Sequence, residues 1–152
     1  MRRLVRNSGR VLEPACGDGA FLKHLRHAVG IELDPRQCPP GALNIDFFAY
    51  PESEKFDTVI GNPPYVRHHD IAEAWKAWYS ERFASMGIRA SALAGLHLHF
   101  FLQTRLLAKP GDVGAFITSS EWMDVNYGSA LRRLLLDELG GIALHVLEPK
   151  VE

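Results

Sequence analysis

Short apolar runs, each closed by glycine, proline or an acidic residue, recur along the chain with helical spacings between them, and this alternation leaves few architectures open. Arg10-Val11-Leu12-Glu13, Ala28 to Leu33, Leu43 to Phe48, Phe56 to Gly61, Val113 to Thr118 and Ile142 to Leu147 read as strands. Ala20 to His27 reads as a helix with Phe21, Leu22 and Leu25 inward. Asp70 to Ala84 reads as an amphipathic helix carrying Ile71, Ala74, Trp75, Trp78, Tyr79 and Phe83. Leu93, Leu96, Phe100, Gln103 and Leu107 mark a further helix that stops at Lys109-Pro110-Gly111-Asp112. Asn126 or Ser129 caps the last one, whose Leu131, Leu134, Leu135 and Leu139 face inward before Gly140-Gly141 ends it. Asp34-Pro35 and Pro39-Pro40-Gly41 leave the second crossover too short for a helix. Strands alternating with helices imply an α/β fold with a doubly wound, mainly parallel sheet. Its ligand crevice is then expected at the carboxyl ends of the strands.

The chain has 152 residues, nearly half of them apolar, which suits one domain with a substantial core. Its 17 Lys and Arg nearly balance 18 Asp and Glu, so no global field draws it to nucleic acid, and any such binding is expected to rest on local patches or on a missing part. Cys16 and Cys38 are too few for a disulfide framework, and no charged n-region with an apolar h-region opens the sequence. Its apolar stretches are interrupted well short of a membrane span. A cytoplasmic protein without a membrane partner is expected.

The informative polar residues fall at successive strand ends: Glu13, Glu32, Asp46 and Asn62. The loop Pro14-Ala15-Cys16-Gly17-Asp18-Gly19 is glycine-rich and opens a helix, but the dinucleotide fingerprint needs a third glycine where this chain has Leu22. Such a loop instead lets backbone pass close to a ligand of modest size. Glu32 can bind both hydroxyls of a ribose, Asp46 can accept from an adenine amine, and Phe47 can stack on its ring. Each also has a plainer use: Gly17 and Gly19 in a tight turn, Glu13 facing a helix dipole, Glu32 solvated at a strand exit, Phe47 in the core.

In Asn62-Pro63-Pro64-Tyr65 two prolines force the chain out of the sheet directly after an apolar run. The Asn side-chain oxygen and a proline-bracketed carbonyl can accept both N–H bonds of a planar exocyclic amine, while the tyrosine stacks on the heterocycle. The plainer reading is an Asx-type turn leaving a strand. Arg67, His68 and His69 serve DNA phosphates or a solvated loop. A spacing of two puts His97 and His99 on different helix faces, so no metal site is expected. Trp75, Trp78 and Tyr79 read as helix packing and Cys16 as a small loop filler.

Taken together, Leu12-Glu13-Pro14-Ala15-Cys16-Gly17-Asp18-Gly19-Ala20-Phe21-Leu22, Val29-Gly30-Ile31-Glu32-Leu33-Asp34-Pro35, Asp46-Phe47 and Asn62-Pro63-Pro64-Tyr65-Val66 resemble the N6-adenine-specific DNA methyltransferases of the gamma arrangement. The resemblance implies a Rossmann-like methyltransferase fold with S-adenosylmethionine as donor. It implies Glu13, Ala15, Cys16, Gly17 and Gly19 near the donor's methionine end, Glu32 on the ribose, and Asp46 with Phe47 on the adenine. It further implies Asn62, Pro63, Pro64 and Tyr65 as catalytic residues acting on a flipped adenine. The partners it implies are DNA, through a separate target-recognition region, and a restriction endonuclease.

That family adds a last antiparallel strand, an aromatic residue before it and an upstream helix. Against this pattern residues 1–152 read as a catalytic domain incomplete at both ends, stopping at Lys150-Val151-Glu152. Such a chain is expected to bind donor and to methylate DNA weakly or not at all alone. Enzymes methylating a glutamine amide, or guanine N2 in ribosomal RNA, share the Asn-Pro-Pro-Tyr chemistry. The Glu-Pro-Ala-Cys-Gly loop favours the DNA class, and a non-catalytic relic is the remaining alternative.

Overall fold

Strands β1 (Val11–Pro14), β2 (Ala28–Ile31), β3 (Thr58–Gly61) and β4 (Val113–Phe116) form one sheet in the order β2-β1-β3-β4. The computed structural model describes residues 9–89, 95–123 and 128–146. All neighbouring strands are parallel, with Leu12 opposite Val29 on one side and Val59 on the other, and Val59 opposite Gly114. β1 and β3 are buried along their whole length, as continuous apolar runs in the middle of a parallel sheet require. The chain runs from β1 outward to β2, then returns past β1 to β3. The strand order therefore reverses between β1 and β3, and the crevice of such a sheet opens outside the carboxyl ends at that point.

Three helices accompany the sheet among the described residues: α1 (Glu73–Ser85), α2 (Leu96–Leu107) and α3 (Gly128–Arg133), the last continuing as a wider turn over Leu134–Glu138. α2 is the centre of the packing. Its Phe100 and Leu107 join Leu12, Ile31, Phe47, Tyr50, Phe56 and Val59 in one core. Its Leu98, Phe101 and Leu102 join Tyr79, Phe83, Trp122, Leu131 and Leu134 in the other. A helix apolar on nearly every side has to sit inside, and His97 through Thr104 are all buried.

Several expected elements are shorter or absent. The helix expected over Ala20 to His27 is a single tight turn, Leu22–His24, because extended Leu25 and left-handed His27 (φ 55) are spent turning the chain into β2. The strand expected over Leu43 to Phe48 is one parallel bridge, Ile31 to Leu43. There the Asn44 amide donates to the carbonyls of Glu32 (2.9 Å) and Leu33 (3.0 Å), so a side chain replaces the backbone ladder. Asp46 then accepts the Phe48 N–H at 2.9 Å and curls Phe47–Ala49 into a turn. Of the strand expected over Ile142 to Leu147, residues 142–146 lie off the sheet with Ile142 95% exposed, and Leu147 is outside the described residues. Leu93 and Asn126 also fall outside them, and Ser129 lies within α3.

Candidate functional site

The loop after β1 is built from left-handed backbone at Ala15 (φ 53), Gly17 (φ 53) and Gly19 (φ 78). The Cys16 N–H donates to the Ile31 carbonyl (2.9 Å), tying the loop to the end of β2, and the Gly19 N–H donates to the Cys16 carbonyl (2.9 Å). These bonds hold Gly17 beside Glu32. Glu32 accepts the Gly17 N–H on Oε2 (2.8 Å) and the Asp34 N–H on Oε1 (2.9 Å). Each carboxylate oxygen has lone pairs for a further donor.

Glu13, the last but one residue of β1, is 3% exposed, and its Oε2 has no hydrogen-bond partner among the described residues. Burial pushes its carboxyl up to about 7, against the backbone N–H groups of Leu22 and Phe21, which favour the charged form. Burial also pushes the Cys16 thiol up to about 12, aided by the negative charge of Glu13 and Glu32. That thiol stays protonated and is no nucleophile.

β3 delivers the second half of the site. A Cβ on Gly61 would lie 3.3 Å from the Pro14 carbonyl oxygen, so glycine lets the ends of β3 and β1 approach closely. Asn62 leaves the sheet at this point, exposed, with Oδ1 accepting a long bond from the Tyr65 hydroxyl (3.4 Å). Pro63 is buried. Tyr65 is 55% exposed, its ring 6.2 Å from that of His97 in the first turn of α2. The Leu96 N–H donates to the Val66 carbonyl (3.0 Å), docking α2 against this loop.

A cavity of about 580 Å³ lies between the two halves. Of the residues expected from sequence, Ala15, Gly17, Glu32, Asp46, Phe47, Asn62 and Pro64 line it. Glu13, Cys16, Gly19, Pro63 and Tyr65 do not; the first four are buried and Tyr65 is exposed. Asp46 spends Oδ1 on the Phe48 N–H, and Phe47, 3% exposed, packs its ring 5.0 Å from that of Phe100.

The lining also includes Phe48, Val66, Ile71, Trp75, Leu96 and Phe100, none of which sequence reasoning assigned to a ligand. For Leu96 and Phe100 a signal existed, since they stand four apart on one stripe of α2. Trp75, read from sequence as helix packing, reaches the cavity from the first turn of α1. His97 and His99 have different neighbours: His97 lies by Tyr65, whereas His99 stacks on Tyr79 with ring centres 4.0 Å apart.

A family model described as Eco57I restriction-modification methylase matches residues 33–142. The type II methyltransferase M.XamI of Xanthomonas campestris pv. amaranthicola is 57% identical over 165 residues, covering 94% of this chain and 31% of that protein. The type II methyltransferase M.TthHB8I of Thermus thermophilus is 33% identical over 147 residues, covering 86% of this chain and 34% of that protein. The chain thus spans about a third of the length of these curated relatives. A solved structure from Listeria monocytogenes, described as a class I S-adenosylmethionine-dependent methyltransferase, shares the fold with a TM-score of 0.66 at 19% identity. That match covers 89% of this chain and 47% of that one.

Proposed function

Because the chain belongs to the Eco57I restriction-modification methylase family, we propose that its cavity holds S-adenosylmethionine and that its Asn-Pro-Pro-Tyr loop presents the N6 amine of a flipped adenine in DNA for methylation. The observation that carries this reading is the shared cavity, which sets Gly17, Glu32 and Asp46 on the same wall system as Asn62 and Pro64. Its volume suits a small-molecule site. The donor set fits a nucleoside: Glu32 keeps acceptor capacity on both oxygens for ribose hydroxyls, and Asp46 keeps Oδ2 for an amine.

The donor supplies an electrophilic methyl group on a sulfonium. The remaining chemistry belongs to the loop after β3. The N6 lone pair of adenine is delocalised into its ring, which makes the amine a poor nucleophile. Two N–H bonds donated from N6 to Asn62 Oδ1 and to the Pro63 carbonyl favour a tetrahedral nitrogen with its lone pair localised. The N–C bond then forms as the S–C bond breaks, and the surplus proton on N6 leaves to solvent. Tyr65, exposed beside Asn62, offers a stacking face to a base taken out of the duplex. Arg67, exposed just beyond it, can meet a phosphate. In a restriction-modification setting the companion activity is an endonuclease.

The test is incubation with labelled S-adenosylmethionine against DNA, RNA and a glutamine-bearing protein, followed by nucleoside and peptide analysis. Label recovered as N6-methyladenine in DNA is expected. Label confined to protein, or found as N2-methylguanine in RNA, overturns the reading.

A further inference from the structure

The segment that leaves the Asn-Pro-Pro-Tyr loop does not run out into solvent. It is pinned at Val66 by the Leu96 N–H, makes the turn His68–Asp70, buries Ile71 to 6% exposure and enters α1 at Glu73. By this route Ile71 and Trp75 come to line the same cavity as Glu32 and Asp46. The ring expected from sequence to stack on the donor's base, Phe47, also lines the cavity but is 3% exposed and packed against Phe100, itself 4% exposed. The half-buried rings of the lining are Phe48 and Trp75, 5.3 Å apart between centres.

We propose that Trp75 is a donor-contact residue, its indole forming with Phe48 the aromatic wall that receives the purine of the nucleoside donor. This rests on the donor reading above and deepens it. A flat heterocycle gains most from a flat partner of similar size, and alanine replacement of such a partner typically weakens binding by about ten-fold or more. Trp78 supplies the internal control. It stands one turn along α1, half-buried and 5.6 Å from Phe48, yet it is absent from the cavity lining and packs on the core around Tyr79 and Phe83.

The experiment titrates the chain with S-adenosylmethionine and follows both heat and tryptophan fluorescence in wild type, Trp75→Ala, Trp75→Phe and Trp78→Phe. The donor is expected to change the fluorescence of wild type and of Trp78→Phe, and Trp75→Phe is expected to lose most of that change while keeping affinity within about three-fold. Trp75→Ala is expected to bind about ten-fold more weakly or worse. Should Trp75→Ala fail to fold, the fluorescence of Trp75→Phe still decides. A full response in Trp75→Phe, or unchanged affinity in a folded Trp75→Ala, overturns the assignment while leaving the donor reading intact. Absence of heat with wild type removes the donor reading and this assignment with it.

Discussion

Asn62 and Glu13 are asked for opposite things. Asn62 stands exposed, its Oδ1 accepting a long bond from the Tyr65 hydroxyl, and the proposed role needs that oxygen open to an incoming amine. Removing one preorganised polar contact of this kind costs on the order of a hundred- to a thousand-fold in rate, and Asn62→Ala is expected to show that loss in single-turnover methylation with donor affinity unchanged by calorimetry. Glu13 is shut away, with its carboxyl held near 7 instead of the ordinary 4.5. Between those values the folded chain binds one more proton than the unfolded chain, so this residue makes stability fall as pH rises from about 5 to 7. His99, pushed down to about 4 by burial and by His97, contributes a rise between about 4 and 6.5. Thermal unfolding without donor at pH 5 and pH 8 should therefore show Glu13→Gln gaining on wild type at the higher pH, by about 2 kcal/mol. Equal slopes in the two proteins would remove Glu13 as the cause.

At the scale of elements, α2 decides most. It fills both cores, and it also carries Leu96 and Phe100 into the cavity wall and bonds Val66 beside the Asn-Pro-Pro-Tyr loop. Leu102, fully buried in the core shared with α1 and α3, is the place to test this. Leu102→Ala is expected to cost about 2–5 kcal/mol in denaturant unfolding, and a loss under about 1 kcal/mol would mean the core collapses around the gap. The stripe Leu96, Phe100, Gln103, Leu107 was legible in the sequence as a helix face. Its partner surfaces were not, because a helix apolar on almost every side has no single inward direction. Likewise the β1 loop, β3 and their breaks were legible, since glycine and proline act locally. The first helix and third strand are shorter than the sequence suggests because the Asn44 amide donates to the Glu32 carbonyl, Asp46 accepts the Phe48 N–H, and the turn into β2 takes residues that periodicity alone assigns to regular structure.

For the molecule as a whole, a ligand that binds only the folded chain must stabilise it, by about 2.7 kcal/mol at a hundred times its dissociation constant. S-adenosylmethionine is expected to raise the unfolding temperature in proportion to the logarithm of its concentration, and a melting curve indifferent to donor would count against the cavity as its site. The global charge offers no such lever, with 17 basic residues against 18 acidic. Sequence alone determined the class of fold and the edge of the sheet at which Glu32 and Asn62 follow their strands, because strand breaks and their flanking polar residues are local facts and parallel strands bring their carboxyl ends together. It also carried the family, through motifs that are contiguous in the chain. Only the tertiary structure decided which of those residues share a cavity, that Phe47 packs its ring against Phe100, and that Trp75 lines the same cavity. Those outcomes depend on how α1 and α2 pack across the sheet, and packing between segments distant in sequence is set by the whole set of buried side chains at once.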